Sequence, residues 1–442
     1  MSRRSSLRRL AVVLPLLGAA AGAFALSGRW ERAEASVARL SEAEVLELDL
    51  DFFEARVARD SFAARDHAQL ARLHLQRAPV GGTEDADLAQ AETHARRSLA
   101  LRTAHNGEAL QILASALMGR HRFAEAREVA ARFLAMDSTS RTARSLLGEI
   151  QLELGAYPDA AGTFGSLLTV RGEFGVAPRY ARWEEIRGRP AEARRLLRNA
   201  LDLAAERHGM PRSQLAWFHW RLGDLALRQG RPDEAQRELE AGLALAPEDH
   251  RLLDGMARVA LTRGRWREAI DFGERAIAQT LDPVTLGLLS VSWEMLGDSA
   301  RSAEYERSMD AAVAQQPNGL DRQWAMLRLD RGREVEAVLA KAREEVRNRP
   351  DIYAWDLLGW ALYRSGDIHQ ALDASAKALA MGTRDASLFF HAGMIAAAAG
   401  DTAPARARLR EALEINPRWH PTQPDDARDF LNPPVHRSAR VD

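Results

Sequence analysis

Apolar residues recur along most of this chain with the spacing of amphipathic helices, and the predicted helices come in pairs. Residues 352–385 display the pattern most plainly. From Ile352 to Ser365, Trp355, Leu358, Gly359 and Leu362 fall on one helical face, with glycine where a partner helix must come close. Gly366-Asp367 then interrupts the helix, glycine accepting the left-handed backbone at a helix end and aspartate capping the next helix. A second amphipathic helix begins at Ile368 and carries Ala371, Leu372, Ala378 and Leu379. The pattern predicts an antiparallel pair held close by small side chains.

The pair repeats. A small residue recurs at Ala126, Ala160, Ala193, Ala235, Ala269, Ala303, Ala337, Ala371 and Ala405, with gaps of 34, 33, 42 and then 34 throughout. Gly155, Gly188, Gly230, Gly264, Gly332, Gly366 and Gly400 stand five residues before their alanines, and Gly297 stands six before Ala303. Each hairpin leaves an apolar face that only the next can cover, so the units must stack into a superhelix with nearest-neighbour cores. Register gives about ten repeats over residues 62–418. The units starting near Val284 and Asn318 are degenerate, with Val291 and Ala325 at the first glycine position. The first unit reads as Phe62 to Arg77 and Asp87 to Leu101, with Ala78 to Asp85 as a protruding loop. The 42-residue gap comes from a helix extended from Ala191 to Arg207 and a break at Gly209-Met210-Pro211. Glu44 to Arg59 is a further helix within a capping segment, residues 29–61. Residues 419–442 read as a short capping helix, Asp425 to Leu431, and a disordered tail.

Trp355-Asp356-Leu357-Leu358-Gly359, Ala371, Ala378, Gly393, Ala405 and Pro417 resemble the consensus of the tetratricopeptide repeat family. Leu147-Gly148, Tyr157, Ala160 and Phe164 repeat the match, as do Leu222-Gly223, Ala235 and Pro247. The resemblance implies an all-α fold, an α-solenoid forming a right-handed superhelix. It also implies which side chains of each first helix face the concave groove. In the fifth unit these are Trp217, Trp220, Asp224, Leu227 and Arg228; in the ninth Tyr353, Asp356, Trp360, Tyr363 and Arg364; in the tenth Phe390 and Met394. Aromatics and arginine are the residues that anchor interfaces. Trp266, Trp293, Trp324 and Trp355 are expected in the core, which Trp220 would join if the register slipped by one. One family ligand is excluded at the level of residues. The clamp for a C-terminal carboxylate needs asparagines and lysines on consecutive first helices, and neither Lys341 nor Lys377 lies on one.

Composition narrows the class. Hydrophobic residues make up 46% and charged residues 28%, enough to pack a core. Sixty-one basic against 62 acidic residues leave a net charge of −1 and no electrostatic reason to expect nucleic acid. The near-exclusive use of arginine, with abundant alanine, suggests a GC-rich bacterial origin. There is no cysteine, which removes disulfides, thiolate metal sites and lipoprotein acylation. Residues 1–28 read as a signal peptide or an uncleaved membrane anchor: Arg3, Arg4, Arg8 and Arg9 precede an apolar run from Leu10 to Leu26, and Ala23-Phe24-Ala25 offers a cleavage site. Ser2 to Arg8 also resembles a twin-arginine export signal, with serine where phenylalanine is preferred.

No catalytic motif is present, and no catalytic residue, cofactor or metal is expected. His67 and His74 lie two turns apart on one face but lack a third ligand at the right spacing. Glu184-Glu185 and Asp425-Asp426 read as solvated faces. The expected function is a protein-interaction scaffold, exported or membrane-anchored, that binds a partner protein of unknown identity through its groove. The alternative is a small-molecule or glycan binder that uses Trp217 and Trp220 as stacking surfaces.

Overall fold

The computed structural model describes residues 40–79, 84–315 and 321–433, and among them it contains α-helices and one short 3-10 turn but no strand. The chain divides into two compact units, residues 1–61 and 62–442. The first holds α1 (Glu42–Arg59), which starts at a reciprocal capping box between Ser41 and Glu44. The expected signal segment and C-terminal tail lie outside the described residues, as does part of the loop before Glu84.

The described residues of the second unit form a stack of ten helical hairpins. Unit 1 pairs α2 (Ala64–Arg77) with α3 (Glu84–Leu101), unit 2 α4 (Gly107–Gly119) with α5 (Phe123–Met136), and unit 3 α6 (Arg141–Glu153) with α7 (Tyr157–Gly165). Unit 4 pairs α8 (Ala177–Ile186) with the long α9 (Pro190–Ala205), and unit 5 α10 (Arg212–Arg228) with α11 (Pro232–Leu245). Unit 6 is α12 (His250–Thr262) and α13 (Trp266–Gln279), unit 7 α14 (Pro283–Met295) and α15 (Ser299–Ala314), unit 8 α16 (Arg322–Asp330) and α17 (Val335–Asn348). Unit 9 is α18 (Ile352–Ser365) with α19 (Ile368–Ala378), and unit 10 α20 (Ala386–Ala398) with α21 (Thr402–Ile415). A capping helix, α22 (Gln423–Leu431), comes after them.

Local chemistry explains the boundaries. The first helices of units 6 to 10 each begin at an aspartate, Asp249, Asp282, Asp321, Asp351 or Asp385, whose carboxylate accepts a backbone N–H of the first turn. All eight turn glycines of the ladder have positive φ, and in unit 2 the same place is taken by His121 at φ 56°. Seven of the nine ladder alanines are fully buried. The other two are corrected by the degenerate units. In unit 7 helix α15 starts directly after Gly297 and Asp298, so Ser302 takes the contact and Ala303 is only half-buried. In unit 8 left-handed Glu334 delays α17 by one residue, which buries Val338 and exposes Ala337. Of the tryptophans expected in the core, Trp324 is buried and Trp266, Trp293 and Trp355 are half-buried.

The stack also closes on itself. The turns inside units 3, 4 and 5 meet the loops that enter unit 9, unit 10 and the capping helix. Arg349 Nε donates to the Glu153 carbonyl at 2.7 Å and its guanidinium pairs with the Glu153 carboxylate. The Ile352 N–H donates to Tyr157 Oη at 2.8 Å, Thr383 Oγ1 donates to the Ile186 carbonyl, and Asn416 Nδ2 donates to the Leu227 carbonyl at 3.0 Å. Glu153, Ile186 and Leu227 lie at the ends of α6, α8 and α10, where helical carbonyls run short of intrahelical donors; Leu227 also accepts the Gly230 N–H at 3.0 Å. Ile186, Ile352 and Leu388 form an apolar cluster along this seam, flanked by Tyr157, Tyr353 and Met381. In unit 2, the Arg349 guanidinium lies 4.4 Å above the Phe123 ring.

Candidate functional site

The concave side of units 4 to 10, with the loops that close the stack, forms a half-open chamber of about 550 Å³. Its polar wall is built by the first helices of units 4, 5, 6 and 9. Arg182 (α8), Arg228 (α10), Arg258 (α12) and Tyr353 (α18) line it. A chain of ion pairs fixes the three arginines. Arg221 bridges Glu185 at 2.6 Å and Asp224 at 3.1 Å; Asp224 then takes Arg228 Nε at 3.1 Å and Arg258 Nη1 at 3.5 Å. Arg258 Nε reaches Asp254 at 3.1 Å, and Arg228 Nη1 approaches Tyr353 Oη at 3.5 Å. The Arg182 guanidinium sits 5.8 Å from the Tyr353 ring centroid and bonds Glu185 at 3.2 Å.

Burial alone would raise the Asp224 carboxyl, but Arg228, Arg221 and Arg258 together hold it down at about 2. Asp254 and Asp385 are pushed up by burial, which their cationic neighbours offset only in part. Tyr353 is likewise raised by burial.

At the C-terminal end, Asp330 accepts Trp360 Nε1 at 3.0 Å and Gln423 Nε2 at 3.4 Å. Asp356 accepts His391 Nδ1 at 3.0 Å. Burial would lower His391, but Asp356 overrides it and raises the imidazole. His420, 3.7 Å from Asp330, is lowered by burial. The wall from units 6 to 8 is mainly apolar, with Leu261, Val284, Leu288, Val291, Met326 and Leu327, and is interrupted by Thr262, Arg322 and Gln323.

The expected groove residues divide into three groups. Leu227, Arg228, Tyr353 and Asp356 line the chamber, with Asp224 directly behind them. Trp217 and Trp220 are half-buried, 6.5 Å apart, and are not chamber-lining; Arg221 and Arg251 stand 5.6 and 5.8 Å from the Trp220 ring. The exposure expected of Trp360 and Phe390 is corrected: they are 4% and 2% exposed. Trp360 stacks on His391 at 4.4 Å and on half-buried Tyr363 at 4.8 Å, and its N–H is spent on Asp330, so aromatic packing and a buried acceptor draw it inward. Met394 is half-buried and Arg364 is exposed.

Arg182, Arg258 and Asp385 were missed, yet two were within reach. Arg258 follows Asp224 by one 34-residue period, and Leu261 and Thr262 follow Leu227 and Arg228 by the same step. Arg182 occupies the corresponding place on the other side of the 42-residue gap. The Glu184-Glu185 pair is corrected too. Both are buried, Glu185 between Arg182 and Arg221, whereas Asp425 and Asp426 are exposed. His67 and His74 flank His94: His67 shares a 2.9 Å hydrogen bond with it, and His74 stacks on its ring at 5.8 Å while bonding Asp87 at 2.8 Å. Among the described residues no group of three or more histidine, aspartate or glutamate side chains is arranged to hold a metal ion.

Comparison with known families agrees with the hairpin stack. One tetratricopeptide repeat model matches residues 176–248, and another matches 112–173, 221–283 and 357–418. Together they span more than half of the chain. No curated protein matches. Among solved structures, the APC/C hetero-tetramer Cut9-Hcn1 is similar at 14% identity over 88% of this chain and 93% of that one, with a TM-score of 0.36. A human IFIT1 dimer with m7Gppp-AAAA is similar at 14% identity over 72% and 81%, with a TM-score of 0.42.

Proposed function

Because the chain belongs to the tetratricopeptide repeat family, we propose that it is a scaffold that holds a partner protein outside the cytoplasm of a bacterium. Residues 1–28 direct its export and either leave as a signal peptide or stay as a membrane tether. The partner docks on the face of unit 5 that carries Trp217 and Trp220, and no catalytic step is assigned to the chain. The observation that supports this surface is the pair of half-buried indoles 6.5 Å apart on one helix, outside the chamber and beside Arg221 and Arg251. Such rings bury large area at low rotamer cost.

Affinity capture of the full chain from envelope fractions, followed by mass spectrometry, tests the reading. The expected result is one reproducible partner that is lost from Trp220→Ala while circular dichroism stays unchanged. Capture that persists with Trp217→Ala and Trp220→Ala combined refutes this surface, and a chain found only in the cytoplasm refutes export. The small-ligand alternative gains support from a different feature, the chamber.

A further inference from the structure

The chamber's hydrogen-bonding capacity is unevenly spent. Arg182, Arg228 and Arg258 carry five N–H donors each. Within the protein Arg182 is engaged by Glu185, Arg228 by Asp224 and Tyr353, and Arg258 by Asp254 and Asp224. The arginine forks therefore keep donors facing this half-open space. Arg228 and Arg258 retain 37% side-chain exposure there. Each carboxylate of the same lining already has a protein donor. Asp330 accepts from Trp360 and Gln423, Asp356 accepts from His391, and Asp385 caps α20 through the Ser387 N–H. Four arginines, Arg182, Arg228, Arg258 and Arg322, line the space against three carboxylates, Asp330, Asp356 and Asp385, an excess of cationic donors that favours an anion over a cation.

One turn beyond Arg258 on α12 stands Leu261, and the apolar wall continues from it through Leu288 and Val291 to Met326. Charged forks and apolar wall share one space of about 550 Å³, within the range of small-ligand pockets and far below what a folded partner needs.

We propose that the chamber binds a small amphipathic anion, its carboxylate or phosphate head held by Arg182, Arg228 and Arg258 and its hydrocarbon body laid on the wall of units 6 to 8. This site is separate from the Trp217–Trp220 surface, so either reading can fail without the other.

Isothermal titration of the full chain with decanoate, decyl phosphate and decyltrimethylammonium, each below its micellar concentration, tests the proposal. Saturable binding near one equivalent is expected for at least one of the two anions and not for the ammonium compound; the preferred anion identifies the head group. Arg258→Met and Arg182→Met are each expected to weaken binding about tenfold or more, with Arg258→Lys recovering part of it. Val291→Glu is expected to abolish binding by placing a charge on the apolar wall. The site is refuted if no compound saturates, if the ammonium amphiphile binds as well as the anions, or if both methionine variants, folded by circular dichroism, bind like the parent.

Discussion

Gly188 and Gly366 occupy the same place in their hairpins and share a left-handed backbone, φ 71° and 89°, yet they answer to different constraints. A Cβ on Gly366 would meet nothing within 4 Å, whereas a Cβ on Gly188 would collide with the Gly382 carbonyl. Gly155 faces Pro350 in the same way, and Gly230 faces Asn416 at 3.0 Å. In units 7, 9 and 10 glycine serves the turn alone; in units 3, 4 and 5 it also lets one part of the stack approach another. A ladder of identical residues in a repeat protein thus hides two classes, and only the second reports on closure.

Matched substitutions separate them. Gly188→Ala combines left-handed strain with overpacking against backbone and is expected to cost about 2–5 kcal/mol in urea unfolding. A cost no larger than that at Gly366 would mean that the seam yields freely. Asn416→Ala removes the buried hydrogen bond to the Leu227 carbonyl and the one accepted from the Arg418 N–H, and should cost about 1–3 kcal/mol, read as a lower melting temperature. Gly366→Ala should cost only about 1 kcal/mol, from backbone conformation alone.

The smallest effect is on pH. His94 is lowered to about 4 by burial and by neighbouring His67 and His74. Its contribution is complete above the usual histidine value of about 6.5 and is lost as pH falls toward 4. His391 is raised, so its contribution is present at acid pH and is lost as pH climbs through its folded value. Hydrogen exchange at pH 5 relative to pH 7.5 should therefore deprotect α2 and α3 and leave α18 and α20 equally or better protected. Uniform deprotection at both ends would show that these histidines do not set the local balance.

The hairpins were legible because their signals are local: period, turn glycine and small contact residue all lie within one 34-residue unit. The polar wall was half legible, since Arg228 and Tyr353 stand at groove offsets and Arg258 stands one period on from Asp224, itself at a groove offset. Trp360 was misplaced because offset fixes the side of the helix a residue occupies but not what covers it. Its covering residues, His391 and the Asp330 carboxylate, belong to neighbouring units. The seam was not legible at all. Thr383 and Asn416 meet Ile186 and Leu227 across 197 and 189 residues, and those pairings depend on superhelical pitch, which accumulates over many hairpins and over one 42-residue irregularity. The slips at Ala303 and Ala337 have a simpler origin: helix phase is counted from the turn, so one residue gained or lost there moves the contact to Ser302 or Val338.

Open solenoids tolerate gain or loss of a unit, because each hairpin knows only its neighbours. The seam removes that freedom. Deleting one hairpin between units 5 and 9 would bring the wrong loops opposite Gly155, Gly188 and Gly230 at once, so the number of repeats in this chain is fixed by ring geometry as firmly as the number of strands in a barrel.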